Sequence, residues 1–308
     1  YPDLLAQIES FFASFGSTMS DNNRRQAYLP EDCIPIENPV GTAPAFIVEE
    51  DKGAIITLPG VPREMRYLME HAVVPYLEKR MGQRKVMVTR VLRTVGVGES
   101  RVDQAIADLE TSTNPTVGLS AHPGQTDVRI VAKAATVPEA EELVAGFEQT
   151  IRRRLGAAIY ATGNATLEAV VAGLLDERGA TLAVAETITQ GDVTRRFGPH
   201  PGVFRGGVVA ADGDGLARLL GVAPAVTGEQ GAVTLAESVR QAWGASNGVG
   251  VLGGELGGPW VAIAGPDGVD TRQQRFTGRD IRVRTWTTTL ALEFLRRLLL
   301  GLADGWSR

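Results

Sequence analysis

The sequence predicts an α/β protein of three consecutive modules, and three observations predict it. Residues 165–308 alternate amphipathic helices with short apolar strands, the order of a layered α/β domain. Residues 84–160 read strand, helix, two strands and helix, a small α+β unit. Residues 54–80 give a buried-type strand (AIITL), a Pro-Gly break and a helix, as at the end of an α/β sheet. The expected module boundaries are 1–82, 83–162 and 163–308, with breaks at Met81-Gly82-Gln83 and at the small polar turn Ala161-Thr162-Gly163-Asn164.

The elements follow in order. An amphipathic helix covers Leu4–Phe15, and Pro/Gly/Asn-rich runs lead to the strand Ala54–Leu58. Pro62 suits the first position of the helix Pro62–Arg80, because its missing N–H would be unpaired there anyway. The second module has strand Val86–Val95, helix Arg101–Asp108 with Ser100 as its cap, strands Thr116–Ser120 and Thr126–Ala134, and helix Pro138–Leu155. The third has helices Thr166–Glu177, Ile188–Phe197, Gly213–Leu220, Leu235–Ala242 and Arg279–Ala303. Its strands are Thr181–Ala185, Gly206–Ala211, Gly248–Leu252, Trp260–Ala264 and Thr271–Phe276.

Composition excludes several classes. The 308 residues are 44% apolar and 22% charged, enough to bury a core in each module and too apolar for a disordered chain. The formal net charge of −5 gives no electrostatic argument for nucleic acid. A single cysteine, Cys33, allows no internal disulfide and fits a reducing cytoplasm, so a cytoplasmic location is expected. No apolar run reaches the ~18–20 residues that span a bilayer, no secretory-signal pattern opens the chain, and no membrane partner is expected. The first residue is Tyr1 rather than Met, which raises the expectation of a fragment or a trimmed product. His71, His122 and His200 are scattered without ligand spacing, so no metal site is expected.

Several stretches resemble the CinA family, and together they cover nearly the whole chain. In the first module these are Asn22–Pro30 (NNRRQAYLP), Asn38–Phe46 (NPVGTAPAF) and Leu58–Met65 (LPGVPREM), similar to the second half of the family's molybdopterin-binding-like domain. In the second they are Gly96–Ser100 (GVGES) and Asn114–Ser120 (NPTVGLS), similar to its small KH-type domain. In the third, Ala185–Gly191 (AETITQG) resembles AESCTGG, Val203–Ala210 (VFRGGVVA) resembles VFLGGVVA, and Leu219–Val222 resembles LLGV. The resemblance implies a partial molybdopterin-binding-like α/β domain, a KH-type α+β domain and a C-terminal layered α/β domain. It also implies a C-terminal activity that deamidates nicotinamide mononucleotide, an N-terminal one directed at ADP-ribose, links to competence and DNA damage, and two-fold assembly, so a homodimer is expected.

An amide hydrolase needs an activated nucleophile, a base beside it and donors for the oxyanion. In the family a serine precedes VF, and a tyrosine and a lysine follow VVA. The apolar blocks align here without gaps, and those positions fall on Pro201, Ala211 and Leu216, none of which carries a nucleophile or a proton to exchange. The family's GIAGPGGG loop is shortened to Gly253–Trp260, and Gly265-Pro266-Asp267-Gly268 reads as a turn. The expected function is a degenerate amidase homologue acting in nucleotide binding or assembly. The alternatives are an active amidohydrolase with relocated chemistry on Thr187 and His200, and an ADP-ribose or dinucleotide protein.

The remaining candidates are binding residues. Thr187 is expected to cap the following helix, Thr189 lies in the same turn, and that helix N-terminus suits a phosphate. Glu186 stands at the strand end, either orienting a ligand or simply exposed. In the first module Asn38, Gly41, Thr42, Pro59 and Gly60 suit half of a nucleotide cleft, with Ala45 standing where the family commonly has glycine. No glycine-rich GGLGPTxDD loop is present, so no cofactor is expected, and a divalent metal only where such a segment exists. Between residues 84 and 160 no two glycines are three apart, so the GXXG clamp of an RNA-binding KH domain is missing. That segment carries ten Lys/Arg against nine Asp/Glu, and no nucleic-acid partner is expected. A nucleotide-type small molecule is the expected ligand.

Overall fold

A computed structural model describes residues 1–51, 53–82, 85–223, 227–254 and 257–302. It is a mixed α/β structure in two compact units, Tyr1–Lys85 and Val86–Arg308.

In the first unit, helix α1 (Pro2–Ser14) has Pro at its start and buries Leu4 and Ile8 against Ala27. A single short turn, α2 (Asp21–Arg24), follows. Three strands then form an antiparallel meander, β1 (Ile34–Ile36), β2 (Ala45–Glu50) and β3 (Gly53–Thr57). The sequence reading found only the last, since β1 and β2 are short and flanked by Pro and Gly. The expected helix from Pro62 is divided into α3 (Pro62–Leu68) and α4 (Val74–Met81) by a π-helical turn at Met69–Val73. Pro75, one residue into α4, cannot donate to the helical ladder, which accounts for the irregularity there.

The second unit contains two sheets. The first has strand order β5-β6-β4-β7 and is fully antiparallel, with β4 (Val86–Val95), β5 (Thr116–His122), β6 (Gln125–Ala134) and β7 (Ile159–Thr162). Helices α5 (Glu99–Glu110) and α6 (Val137–Leu155) cover one face, where Leu92, Val128 and Ile130 meet Val102, Ile106, Val144 and Ile151. Two expectations change. The polar turn at residues 161–164 starts later, because Ala161 and Thr162 pair with Arg93 and Leu92 of β4. Ser100 does not cap α5, which begins at Glu99 behind Gly98.

The second sheet has order β12-β11-β10-β8-β9. Strands β8 (Leu182–Glu186), β9 (Phe204–Val209) and β10 (Asn247–Leu252) are parallel, while β11 (Trp260–Gly265) and β12 (Gly268–Gln273) add an antiparallel hairpin through the turn expected at residues 265–268. Helices α7 (Leu167–Asp176), α8 (Asp192–Phe197) and α11 (Ile281–Leu299) supply the core on one face. Helices α9 (Gly213–Leu220) and α10 (Gly228–Ala242) supply the other. The period-2 pleat assigns the β8 side chains: Leu182 and Val184 join the first core, Ala183 and Ala185 the second. Burial on both faces explains why β8 and β10 read as uninterrupted small or apolar runs.

The two sheets share one unit because their elements interlock. Val95 of β4 lies in the first core of the C-terminal sheet, with Tyr160 of β7 packed against it. Arg296 of α11 donates to the Ala157 carbonyl beside β7. Helix α10 starts at Gly228, two turns before the expected Leu235, because burial of Gly231 and Ala232 outweighs the weak helical propensity of its two early glycines. The C-terminal end expected for α11, Ala303, lies outside the described residues.

Candidate ligand-binding cleft

Three parallel strands deliver their C-terminal ends to one place. β8 has β9 on one side and β10 on the other, so the loops leaving it diverge, the arrangement that opens a crevice in an α/β sheet. A cleft of about 1010 Å³ lies there. Its walls come from Thr187 and Ile188 after β8, Val209–Asp214 after β9, and Leu252–Gly254 after β10, with Trp260, Gln273 and Arg279 closing the far side.

The β8–α8 connection differs from the sequence expectation in an informative way. Gln190 and Gly191 both have left-handed backbone (φ 53° and 85°), so the chain turns sharply and α8 begins only at Asp192. Its N-cap residue, Gly191, has no side chain to offer. Glu186 replaces it: the carboxylate accepts from the amides of Val193 (3.2 Å) and Thr194 (2.8 Å). Glu186 is fully buried, which overturns its reading as an exposed strand-end acid. A buried carboxylate needs such donors, and a helix N-terminus supplies them.

Thr187 does not cap α8. Its hydroxyl accepts from Gly253 N (3.0 Å) and faces the Val251 carbonyl (3.4 Å), tying the end of β8 to the end of β10. Thr189 is fully buried, its hydroxyl oxygen is without a partner among the described residues, and it does not line the cleft. On α8, burial alone would push Asp192 up, but the hydrogen bond from Arg195 and the neighbouring Arg196 offset it and hold the carboxyl below the ordinary aspartate range.

The positions aligned with the family's chemistry separate. Ala211 lines the cleft. Leu216 is fully buried within α9 and packs in the core with Ala185, Leu235 and Leu252. Pro201 is exposed and outside the cleft lining. His200 is also outside the lining and sits edge-on to Phe197, with ring centroids 6.4 Å apart. No hydrogen bond joins His200 to Thr187, so the structure does not assemble that substitute pair. Among the described residues no cluster of three His, Cys, Asp or Glu is placed to hold a metal.

The polar groups that line the cleft are largely engaged. Asp212 accepts from Gly215 N (2.7 Å) as the cap of α9, Gln190 accepts from Arg284 (2.8 Å), and Gln273 donates to the Gly258 carbonyl (3.2 Å). Thr227, the N-cap residue of α10, makes no side-chain capping bond, and it lines the cleft together with Gly228. Gln190, Thr227, Trp260, Gln273 and Arg279 were not singled out from sequence. Thr227-Gly228 was discoverable as a cap pair had the start of α10 been found. Trp260 was not, since its place follows from the antiparallel pairing of β11 with β10.

In the first unit, Asn38 is buried, and both its amide donors are used, one to Ala43 O (2.8 Å) and one to the Glu64 carboxylate (2.6 Å), while its oxygen accepts from Val40 N (3.2 Å). Gly41 lies directly against the same carboxylate. These contacts fasten the loop before β2 to the first turn of α3, so Asn38 and Gly41 are brought together as a structural tie. Pro59 is buried, Gly60 exposed and Thr42 partly exposed, and Ala45 is fully buried at the start of β2.

Comparison with known proteins bears on all of this. Residues 89–161 match the family model described as "Damage-inducible protein CinA KH domain", and residues 164–299 match "CinA C-terminal domain". A CinA-like protein of Frankia casuarinae is 41% identical over 94% of this chain and 72% of its own length. A CinA-like protein of Dictyoglomus thermophilum is 36% identical over 98% of this chain and 78% of its own. Among solved structures, a CinA-superfamily protein of Klebsiella pneumoniae is similar at 21% identity and a TM-score of 0.41, over 44% of this chain and 96% of that one.

Proposed function

Because the chain belongs to the CinA family of competence/damage-inducible proteins, we propose that its C-terminal module binds a nucleotide-type ligand in the cleft above β8 and β10 without hydrolysing it. The observation that carries this reading is the dispersal of the aligned chemical positions: Ala211 in the cleft, Leu216 in the core and Pro201 outside it. The loss of reactive side chains at these positions removes nucleophile and base together. Thr187, the hydroxyl nearest to the ends of β8 and β10, is engaged by backbone on both sides and lacks a base.

What supports binding is the remaining surface. Arg279 and the start of α10, at Thr227 and Gly228, favour an anionic group. Gly253, Gly254, Gly257 and Gly258 keep one wall low, and Trp260 offers a ring face on which a base can stack. A titration with nicotinamide mononucleotide, followed by thermal stability, tests this. Saturable stabilisation that is lost in Ala211→Trp, a variant that fills the cleft, is the expected result. No shift at millimolar nucleotide removes the reading. Homodimerisation and a cytoplasmic location remain part of the proposal; among the described residues no helix is long and apolar enough to cross a membrane.

A further inference from the structure

A second cavity, of about 230 Å³, lies where the loop after β4 meets the end of β12 and the middle of α11. It is separate from the cleft above, sharing only Gln273 with it. Its apolar walls are Val95, Leu290 and two aromatic rings, Phe276 and Trp286, whose centroids are 5.2 Å apart. Phe276 is 51% exposed, so its ring is reachable from solvent.

Five polar residues line this space: Gln273, Gln274, Arg275, Thr289 and Glu293. Gln273 and Thr289 donate to the Gly258 and Pro123 carbonyls and Arg275 is exposed, while Glu293 and Gln274 differ in what they have left to offer. Glu293 is 1% exposed, and both of its oxygens are taken by Arg296, at 2.5 and 2.9 Å. Its charge is therefore matched and makes no demand for a cation. Gln274 is 8% exposed. Its oxygen accepts from Arg275 N (2.8 Å), which fixes the orientation of the amide and leaves the NH2 group without a partner among the described residues. That amide donor borders a cavity walled by aromatic rings, where an acceptor on a bound molecule can meet it.

We propose that this cavity is a small-molecule site for a neutral, planar heteroaromatic ring that carries a hydrogen-bond acceptor. The ring lies against Phe276 and Trp286, and its acceptor takes the proton offered by Gln274 Nε2. The volume is below the ~300–1,000 Å³ of sites for larger ligands, which limits the occupant to one or two fused rings. Gly96, also in the lining, has a left-handed backbone (φ 72°) that favours glycine, and a methyl group there would press on the Glu293 side chain at 3.3 Å.

Quinoline, with a ring-nitrogen acceptor, and indole, of similar size but with a donor only, are the probes. The intact chain is titrated with each, and the indole N–H signals of Trp286 and Trp260 are followed by 15N NMR, assigned by Trp286→Phe and Trp260→Phe. Quinoline is expected to shift the Trp286 signal saturably and leave Trp260 in place. Gln274→Leu is expected to weaken quinoline about fivefold, the effect of one neutral hydrogen bond, and to leave indole unchanged. An unmoved Trp286 signal at millimolar quinoline overturns the proposal, even if Gln274→Leu fails to fold. Equal losses of quinoline and indole on Gln274→Leu also overturn it. Because Trp260 reports on the larger cleft, failure here is distinguishable from failure of the nucleotide reading.

Discussion

Glu186 ends a strand in a setting closed to water, and its carboxylate is held by two amides at the start of α8. The sequence placed it correctly at a strand end. Its burial was not legible, because that depends on where α8 begins, and two consecutive left-handed residues postpone that start. Glu186→Ala leaves both amides without an acceptor and is expected to cost about 2 kcal/mol, read from the midpoint of denaturant unfolding. Glu186→Gln keeps an acceptor oxygen and should lose less. Leu216 makes the complementary point. It was legible as the position aligned with a lysine, yet the structure shows a core residue with no exposure. Leu216→Lys is therefore expected to destabilise the protein by roughly 3 kcal/mol or more, since an ammonium group without a partner is placed in an apolar core. Amide hydrolysis gained at unchanged stability would contradict that placement.

At the scale of elements, helices and strands with strong periodicity were read within a few residues, and β4 and α9 were read at the bounds observed. The misses share a cause. β1 and β2 are short and Pro/Gly-flanked, and the first turns of α10 contain two glycines, so local propensity argued against what packing enforces. The contact between α10 and β10 shows how. A methyl group on Gly250 would meet the carbonyl oxygen of Ala232, and one on Gly248 that of Ala236. Helix backbone thus rests directly on strand backbone. Gly250→Ala should force the two apart, with a loss of about 1–3 kcal/mol in chemical denaturation despite the intrinsic gain of a strand residue over glycine.

For the whole molecule, the break expected at residues 162–163 lies between the stretches matched by the two family models, 89–161 and 164–299, and the sheets of both modules pack within one compact unit. The reason lies in side chains far apart in sequence. Glu293 and Arg296 form a buried pair on α11, and Arg296 reaches the Ala157 carbonyl (2.7 Å) beside β7. Burial pushes the Glu293 carboxyl above the ordinary range, although Arg296 opposes the shift. Arg296→Met leaves that carboxylate buried with only the more distant Arg297 guanidinium (3.8 Å) and is expected to cost about 3 kcal/mol, whereas Glu293→Met/Arg296→Met together should cost clearly less. Equal losses in the two variants, measured by thermal unfolding, would show that the pair is not coupled.

The proposal that matters most is that the cleft holds a nucleotide without cleaving an amide. The direct measurement is ammonia released by the purified chain from nicotinamide mononucleotide over hours at saturating substrate. The account predicts release at the buffer background, unchanged in Thr187→Val. Release above background that disappears in Thr187→Val or Ala211→Trp would contradict it.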